Sequence, residues 1–352
     1  MAFRRLLCLN ETAGKSLFNN VSCQKIILEV PNSFKSIRSF KRLRDTNDIV
    51  HKSELTVKNL WKPLGFTILF GSAAHLGAAI WEYEKIRSYK FNSMKKNNIN
   101  EKIRSYLQSE EVQTWRGKAQ SWWRNLSNGE RIFVPICYLN VMVFLAWRVP
   151  AFRATMTKYF CANPASSAIC WPMVLSTFSH HSLLHLGTNM YVLHSFSTAA
   201  VGTLGTEQFV ALYLTSGVLS SFASHLFKVV FQRPGLSLGA VSNIFYLNGG
   251  TSGAILGVVA FICAQYPDTR LGIAFLPMIT FTAGNAIKGL LAFDVIGCVM
   301  RWRFLDHAAH LGGAMWGLYW QMWGNTQIWQ NRKSFLNLWH SFRDPPRSHR
   351  SK

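Results

Sequence analysis

The stretch Gly249-Gly250-Thr251-Ser252-Gly253-Ala254-Ile255-Leu256-Gly257 opens an otherwise apolar segment of the chain. A second apolar segment carries Asp306-His307-Ala308-Ala309-His310-Leu311-Gly312-Gly313, and a third carries His180, His185 and Asn189. All three segments are apolar enough to be buried in a membrane, where an unpartnered ionisable group costs on the order of 3 kcal/mol. The serine, the histidines and the asparagine are therefore candidate functional residues.

The composition around these segments is typical of a membrane protein. Of 352 residues, 49% are hydrophobic and 15% charged, and the 13 Trp and 25 Phe are enriched as at membrane–water interfaces. The net charge of +22 comes mainly from residues 1–62, 85–131 and the segment after Arg332. Basic residues outside the apolar segments favour an anionic membrane surface, rather than nucleic acid, as the partner. They also suit an organelle-targeting segment.

The N-terminal residues 1–44 are basic and contain few acidic residues, with nine Lys or Arg against Glu11 and Glu29. This composition is typical of a mitochondrial transit segment, the alternative being a basic tail without structure. The predicted division of the chain is a presequence over 1–60, an extra transmembrane helix over 61–82, a charged linker over 83–130, a helical core over 131–325 and a basic tail over 326–352.

Seven apolar segments predict membrane-spanning helices, because about 20 apolar residues cross the hydrocarbon core. No β pattern is recognised, and 271–300 is interpreted as an interfacial approach followed by one span. Basic residues flank the first span on both sides, so its orientation stays open; we expect the N-terminus in the matrix. The fold class is therefore an all-α polytopic membrane protein. The predicted spans are 63–81, 131–147, 182–204, 208–227, 251–265, 282–300 and 306–323.

His185 and Asn189 are four residues apart and therefore lie on one face of a helix. Both can donate hydrogen bonds from that side, which suits a developing oxyanion in a dry site. The alternative is hydrogen bonding between helices, which small polar side chains often make in membrane bundles. His180 lies five residues earlier, near the start of the same helix.

Ser252 follows two glycines and falls in the first turn of its predicted helix. Backbone N–H groups are unpaired there, and the helix dipole favours negative charge. The Ser252 backbone amide is therefore a candidate oxyanion donor next to a candidate nucleophile. A GxSG sequence alone also marks close helix packing, so both interpretations stay open.

Two pairs of glycines have the GxxxG spacing, one beside Ser252 and one after His310. Such grooves let two helix backbones approach closely. We therefore expect the serine hydroxyl to reach the His310 ring, as a nucleophile and its base require. The glycines are Gly253 and Gly257 in one helix and Gly313 and Gly317 in the other, with Gly250 at the turn before the serine.

No carboxylate is expected to complete a catalytic triad. Asp306 is predicted to cap the helix of His310. Asp294 and Lys288 are six residues apart and are expected to snorkel or to have separate partners. A serine–histidine pair suffices in principle. The chain has no HExxH motif, so no metal and no cofactor are expected.

Three motifs resemble the core of the rhomboid intramembrane serine proteases in order and spacing. They are His180-x4-His185-x3-Asn189, Gly250-x-Ser252-Gly253 and Ala309-His310-x-Gly312-Gly313. The closer likeness is to the mitochondrial branch, the presenilin-associated rhomboid-like proteases. It is carried by residues 147–150, 163–166, 176–197, 276–289 and 306–317, within a resemblance that covers about residues 60–345.

The resemblance implies a six-helix catalytic core preceded by one extra helix. It implies Ser252 as nucleophile, His310 as general base, and an oxyanion hole from His185, Asn189 and the Ser252 amide, with His180 in a supporting position. It also implies the inner mitochondrial membrane and membrane-anchored protein substrates in organelle quality control, mitophagy and dynamics.

Two alternatives are compatible with the same residues. One is a catalytically inactive rhomboid relative that binds and escorts membrane proteins, although such a protein need not keep both the serine and the histidine. The other is a polytopic transporter whose buried histidines relay protons. One position departs from the bacterial pattern, because Leu256 stands where bacterial rhomboids have a tyrosine. The sequence does not fix the oligomeric state.

Overall fold

The computed structural model describes residues 57–96, 114–164, 166–231, 250–273, 276–302 and 305–343. The predicted transit segment, Gly249 and the end of the basic tail lie outside the described residues.

Helices account for most of the described chain. A helix lies at each of the seven predicted spans, and shorter helices lie between them and after them. The α-helices are α1 (Trp61–Lys96), α2 (Trp115–Asn125), α3 (Asn128–Ala146), α4 (Arg153–Tyr159), α5 (Cys170–Leu175), α6 (Leu183–Leu204), α7 (Thr206–Phe231), α8 (Gly250–Gln265), α9 (Ala283–Val299), α10 (His307–Tyr319), which continues as a π-helix over Trp320–Trp329, and α11 (Lys333–Arg343).

Three of the described helices are long and apolar enough to cross a membrane. They are α1 with the turn before it, α3 and α7, whereas α8 is apolar but shorter. The α-helical membrane fold is therefore supported, and the count of seven spans stays a prediction.

Helix α8 is the centre of the bundle. Most of its 16 residues are buried, because α6, α7 and α10 pack around it. A helix that is apolar on every side is stable only when it is surrounded in this way. Its N-terminus, which carries Ser252, is therefore held by three neighbouring helices.

The glycine pairs of α8 and α10 face each other, as the sequence predicts. A Cβ added at Gly313 would overlap the Gly253 carbonyl, and one added at Gly317 would overlap the Gly257 carbonyl. On another side of α8, a Cβ at Gly253 would overlap the Ser220 side chain of α7. Small residues therefore set the separation of these helices, as is common where lipid provides no hydrophobic drive for association.

A β-hairpin between α8 and α9 corrects the prediction that the chain contains no strands. Strands β1 (Arg270–Ile273) and β2 (Leu276–Thr282) pair antiparallel, with an irregularity between Gly272 and Ile273. Residues 279–282 are β-branched or aromatic, which favours a strand in the segment predicted to be an interfacial approach without β structure. Thr282 ends the hairpin and caps α9, accepting a hydrogen bond from the Asn285 amide.

Helix α1 is longer than predicted, since it continues beyond residue 82 to Lys96. This extension carries an ion-paired segment that contacts the core and the C-terminal helix. Lys85 Nζ lies 2.7 Å from Glu207 Oε1, Glu82 binds Arg332, and Glu84 Oε1 accepts from Trp339 Nε1 at 3.1 Å. The start of the predicted linker and part of the predicted tail are therefore helices that pack together.

Candidate active site

Ser252 and His310 meet between helices α8 and α10. Ser252 Oγ lies 2.8 Å from His310 Nε2, within hydrogen-bond distance. The serine is in the first turn of α8 and the histidine is in the first turn of α10, directly before the glycines that let the two backbones touch. The packing of these glycines therefore places the hydroxyl against the ring.

Asp294 lies behind the His310 ring, and the expectation that no carboxylate is placed there is wrong. Asp294 Oδ1 is 3.1 Å from His310 Nδ1, and only 4% of the Asp294 side chain is exposed. The carboxylate comes from α9, which packs along α10. A lone acidic residue in an apolar helix was the available signal, but spacing within α9 cannot reveal a partner on another helix.

The same carboxylate oxygen also binds a second histidine that sequence reasoning did not single out. His307 Nδ1 lies 2.7 Å from Asp294 Oδ1, and 2% of the His307 side chain is exposed. An ionised carboxylate only accepts hydrogen bonds, so both rings must carry their proton on Nδ1 to donate to it. His310 Nε2 is then left as an acceptor for the Ser252 hydroxyl, which is the tautomer that a general base needs.

Asp306 caps the helix that carries His310, as predicted. Its Oδ1 accepts a hydrogen bond from the Ala309 amide at 3.1 Å. Its Oδ2 accepts from Ser224 Oγ at 2.5 Å and from Lys228 Nζ at 3.0 Å, both on α7. The buried Lys228–Asp306 pair therefore joins the end of α7 to the start of α10.

The predicted oxyanion residues His185 and Asn189 lie on α6, and the supporting residue His180 lies in the loop before it. His180 is fully buried, and its Nε2 lies 3.0 Å from Asn189 Nδ2. The His180 ring is 5.1 Å from that of His185. Within the described residues, no hydrogen bond joins Asn189 or His185 to Ser252. His180 therefore holds the Asn189 amide, which gives the supporting position a physical role.

Gly250 and Thr251 fix the start of α8 against the loop before α6. The Thr251 hydroxyl donates to the carbonyls of Ser176 and Ser179, at 2.8 and 3.0 Å. A Cβ at Gly250 would meet the Ser176 backbone carbon at 3.1 Å, closer than real Cβ atoms are usually found. Gly250 is thus required for packing beside the serine. Leu256, at the position of the bacterial tyrosine, packs against the hydrophobic core.

One group of side chains has the composition of a metal site. Asp294, His307 and His310 each offer one ligand atom, and these atoms all lie within 4.8 Å of one another. This arrangement was not expected from the sequence, where the three residues fall in two separate helices.

Comparison with known proteins shows that the site lies within the part of the chain that matches a known domain family. A rhomboid domain matches residues 168–324, which include Ser252, Asp294 and His310. The chain is 44% identical over 299 residues to presenilin-associated rhomboid-like protein, mitochondrial, of Homo sapiens, covering 84% of this chain and 74% of that protein. It is 40% identical over 306 residues to presenilin-associated rhomboid-like protein A, mitochondrial, of Danio rerio (81% and 76% covered). It is 29% identical over 198 residues to rhomboid protein 1, mitochondrial, of Saccharomyces cerevisiae (56% and 54% covered).

Proposed function

Because this chain belongs to the rhomboid family, we propose that it is an intramembrane serine endopeptidase with Ser252 as nucleophile and His310 as general base. The observation that carries the proposal is the 2.8 Å separation of Ser252 Oγ and His310 Nε2 at the start of α8. A hydroxyl and an acceptor nitrogen at this distance are the two groups that acyl transfer requires.

The first chemical step is attack of Ser252 Oγ on a substrate carbonyl, with transfer of the hydroxyl proton to His310 Nε2. The imidazolium so formed is stabilised by Asp294 at its Nδ1 atom, so Asp294 acts as a positioning residue. The oxyanion is stabilised by the Ser252 amide together with Asn189 and His185. His310 then gives the proton to the leaving amine, and a water molecule hydrolyses the acyl-enzyme by the reverse transfers. The mechanism uses no metal and no cofactor.

The substrates are proteins anchored by a transmembrane helix. Such a helix hides its peptide carbonyls in its own hydrogen bonds, so it must unwind locally before the serine can attack. Cleavage is therefore favoured where Gly, Ser or Pro, which have weaker helix propensity than Ala or Leu, lie near the scissile bond.

The site of action is the inner mitochondrial membrane, in protein quality control, mitophagy and mitochondrial dynamics. Relatives of the chain are named mitochondrial, and its first 44 residues are basic and contain few acidic residues. Anionic lipid of that membrane is the partner that suits the basic segments flanking the core.

The deciding experiment measures cleavage of a co-expressed single-span substrate by the wild type and by Ser252→Ala and His310→Ala. Both variants should insert normally and lose cleavage. A serine-reactive activity probe should label the wild type at Ser252, whereas a non-proteolytic chaperone or a transporter would not be labelled. Cleavage retained by purified Ser252→Ala protein would contradict the assignment of the nucleophile.

A further inference from the structure

The carboxylate of Asp294 joins two imidazoles through a single oxygen atom. His307 Nδ1 is 2.7 Å from Oδ1 and His310 Nδ1 is 3.1 Å from it, and all three atoms lie within 4.8 Å of one another. The proposed mechanism uses Asp294 and His310 but gives no task to His307. A second buried histidine on the carboxylate therefore calls for an explanation of its own.

Residues of α9 and the chain just after it hold the His307 ring in place. A Cβ at Gly297 of α9 would overlap the His307 ring, so the ring reaches Asp294 only because this position is glycine. Phe293 and Trp302 pack edge-on against the ring, at centroid distances of 5.3 and 5.8 Å. The His307 nitrogen is thus held in one place beside the carboxylate, as metal ligands commonly are by their supporting residues.

We propose that Asp294, His307 and His310 form an inhibitory Zn²⁺ site in which a bound ion switches the protease off reversibly. This regulation rests on the proposed function, since it acts through the proposed base. Two imidazole nitrogens and one carboxylate oxygen, with a fourth position left for water, are a ligand set that Zn²⁺ commonly takes. Tetrahedral bonds of about 2.0–2.1 Å separate ligand atoms by about 3.3 Å. The present separations from Oδ1 are 2.7 and 3.1 Å and need to increase only slightly, and the two Nδ1 atoms lie within 4.8 Å of each other.

Inhibition follows from the tautomer that the ion imposes. Zn²⁺ binds a nitrogen lone pair, so the proton now on Nδ1 of each histidine must move to Nε2, without net proton release. His310 Nε2 then carries a hydrogen and donates to Ser252 Oγ, whereas the attack on a substrate requires it to accept. The serine loses its base for as long as the ion stays bound.

An ion can reach the cluster along the path that the reaction itself requires. Asp294 and His307 are almost fully enclosed, but 12% of the His310 side chain is exposed beside Ser252. Water must reach this point to hydrolyse the acyl-enzyme, so a hydrated ion enters from the same side.

The test measures metal binding separately from catalysis, on untagged full-length protein carrying Ser252→Ala. Titration with Co²⁺, a spectroscopic substitute for Zn²⁺, should produce the visible absorption of a tetrahedral ion and should be reversed by Zn²⁺. His307→Gln and Asp294→Asn, added singly to this background, should weaken binding at least tenfold. His194→Gln is the matched control, because His194 is an exposed histidine outside the cluster, and it should leave binding unchanged. Absence of the spectrum, or equal binding in the His307→Gln protein, would overturn the proposal.

Activity is then measured with otherwise wild-type protein. Zn²⁺ should inhibit substrate cleavage, and a chelator should restore it. Each variant is normalised to its own metal-free rate, and His307→Gln should require at least tenfold more Zn²⁺ for half inhibition. Equal sensitivity of His307→Gln and wild type would contradict the site. If instead the Ser252→Ala protein still cleaves, the proposed function fails while the Co²⁺ titration remains a valid measurement of the site.

Discussion

Gly313 of α10 lies directly against the carbonyl of Gly253 in α8, with no space for a side chain between them. Gly253 is next to Ser252 on α8, and Gly313 is one turn from His310 on α10, so any widening here would separate the hydroxyl from the ring that it contacts at 2.8 Å. The two glycines therefore act by letting α8 and α10 approach closely, and not by taking part in the reaction themselves.

Gly313→Ala should reduce cleavage at least tenfold, because the added methyl group forces α8 and α10 apart. Overpacking of this kind costs about 1–3 kcal/mol, so the unfolding midpoint in detergent should also fall. Gly202→Ala is the matched control: Gly202 lies within α6, and apart from its own stretch of helix no atom lies within 4 Å of an added Cβ. That variant should keep its activity. Wild-type activity in the Gly313→Ala protein would show that the contact is not limiting.

Asp294→Asn should lower kcat by up to about 10⁴-fold with little change in KM, since the amide favours the wrong histidine tautomer and cannot stabilise the imidazolium as a carboxylate does. Single-turnover cleavage of a detergent-solubilised substrate measures the effect. Lys288→Gln provides a control on the same helix, because the Lys288 side chain is exposed. If Asp294→Asn matched the wild type in kcat, the carboxylate would have no part in positioning the base.

Asn189→Ala should slow turnover by about 10² to 10³ without preventing insertion, since loss of one oxyanion donor has this cost where it has been measured. His180→Ala should have a smaller effect in the same direction, because His180 holds the Asn189 amide at 3.0 Å. Rates are compared at equal amounts of inserted protein. Loss of insertion in Asn189→Ala would instead identify Asn189 as a structural residue.

Lys228→Met should lower the free energy of unfolding by about 3–5 kcal/mol, since it leaves the Asp306 carboxylate buried without its cation. The Lys228 and Asp306 side chains are only 10% and 8% exposed. Denaturant titration in detergent measures the loss, and adding Asp306→Asn should restore part of it. Arg343→Gln breaks a surface ion pair, in which the side chains of Arg343 and Glu84 are 53% and 33% exposed. This variant should lower the free energy of unfolding by less than about 1 kcal/mol. If Lys228→Met and Arg343→Gln lowered the free energy of unfolding equally, the importance given to burial of the Lys228–Asp306 pair would be contradicted.

The sequence by itself determined the features that depend on local spacing. Apolar length predicted a helix at each of the seven segments, and two GxxxG pairs predicted that the helices of Ser252 and His310 would touch. These are periodic properties of single helices, so neighbouring residues fix them. The predicted mitochondrial presequence rests on composition alone, and its first 56 residues lie outside the described residues.

Tertiary structure alone decided which groups surround His310. Asp294 and His307 lie on two different helices, α9 and α10, and between these helices Arg301 adopts a left-handed φ of 54°. Residues other than glycine rarely take that conformation, so no local pattern predicted how the chain reverses there. The paired charges of the α1 extension are likewise set by partners distant in the sequence, such as Lys85 and Glu207. Helical periodicity states which residues share a face, but the angle between two helices decides which faces meet.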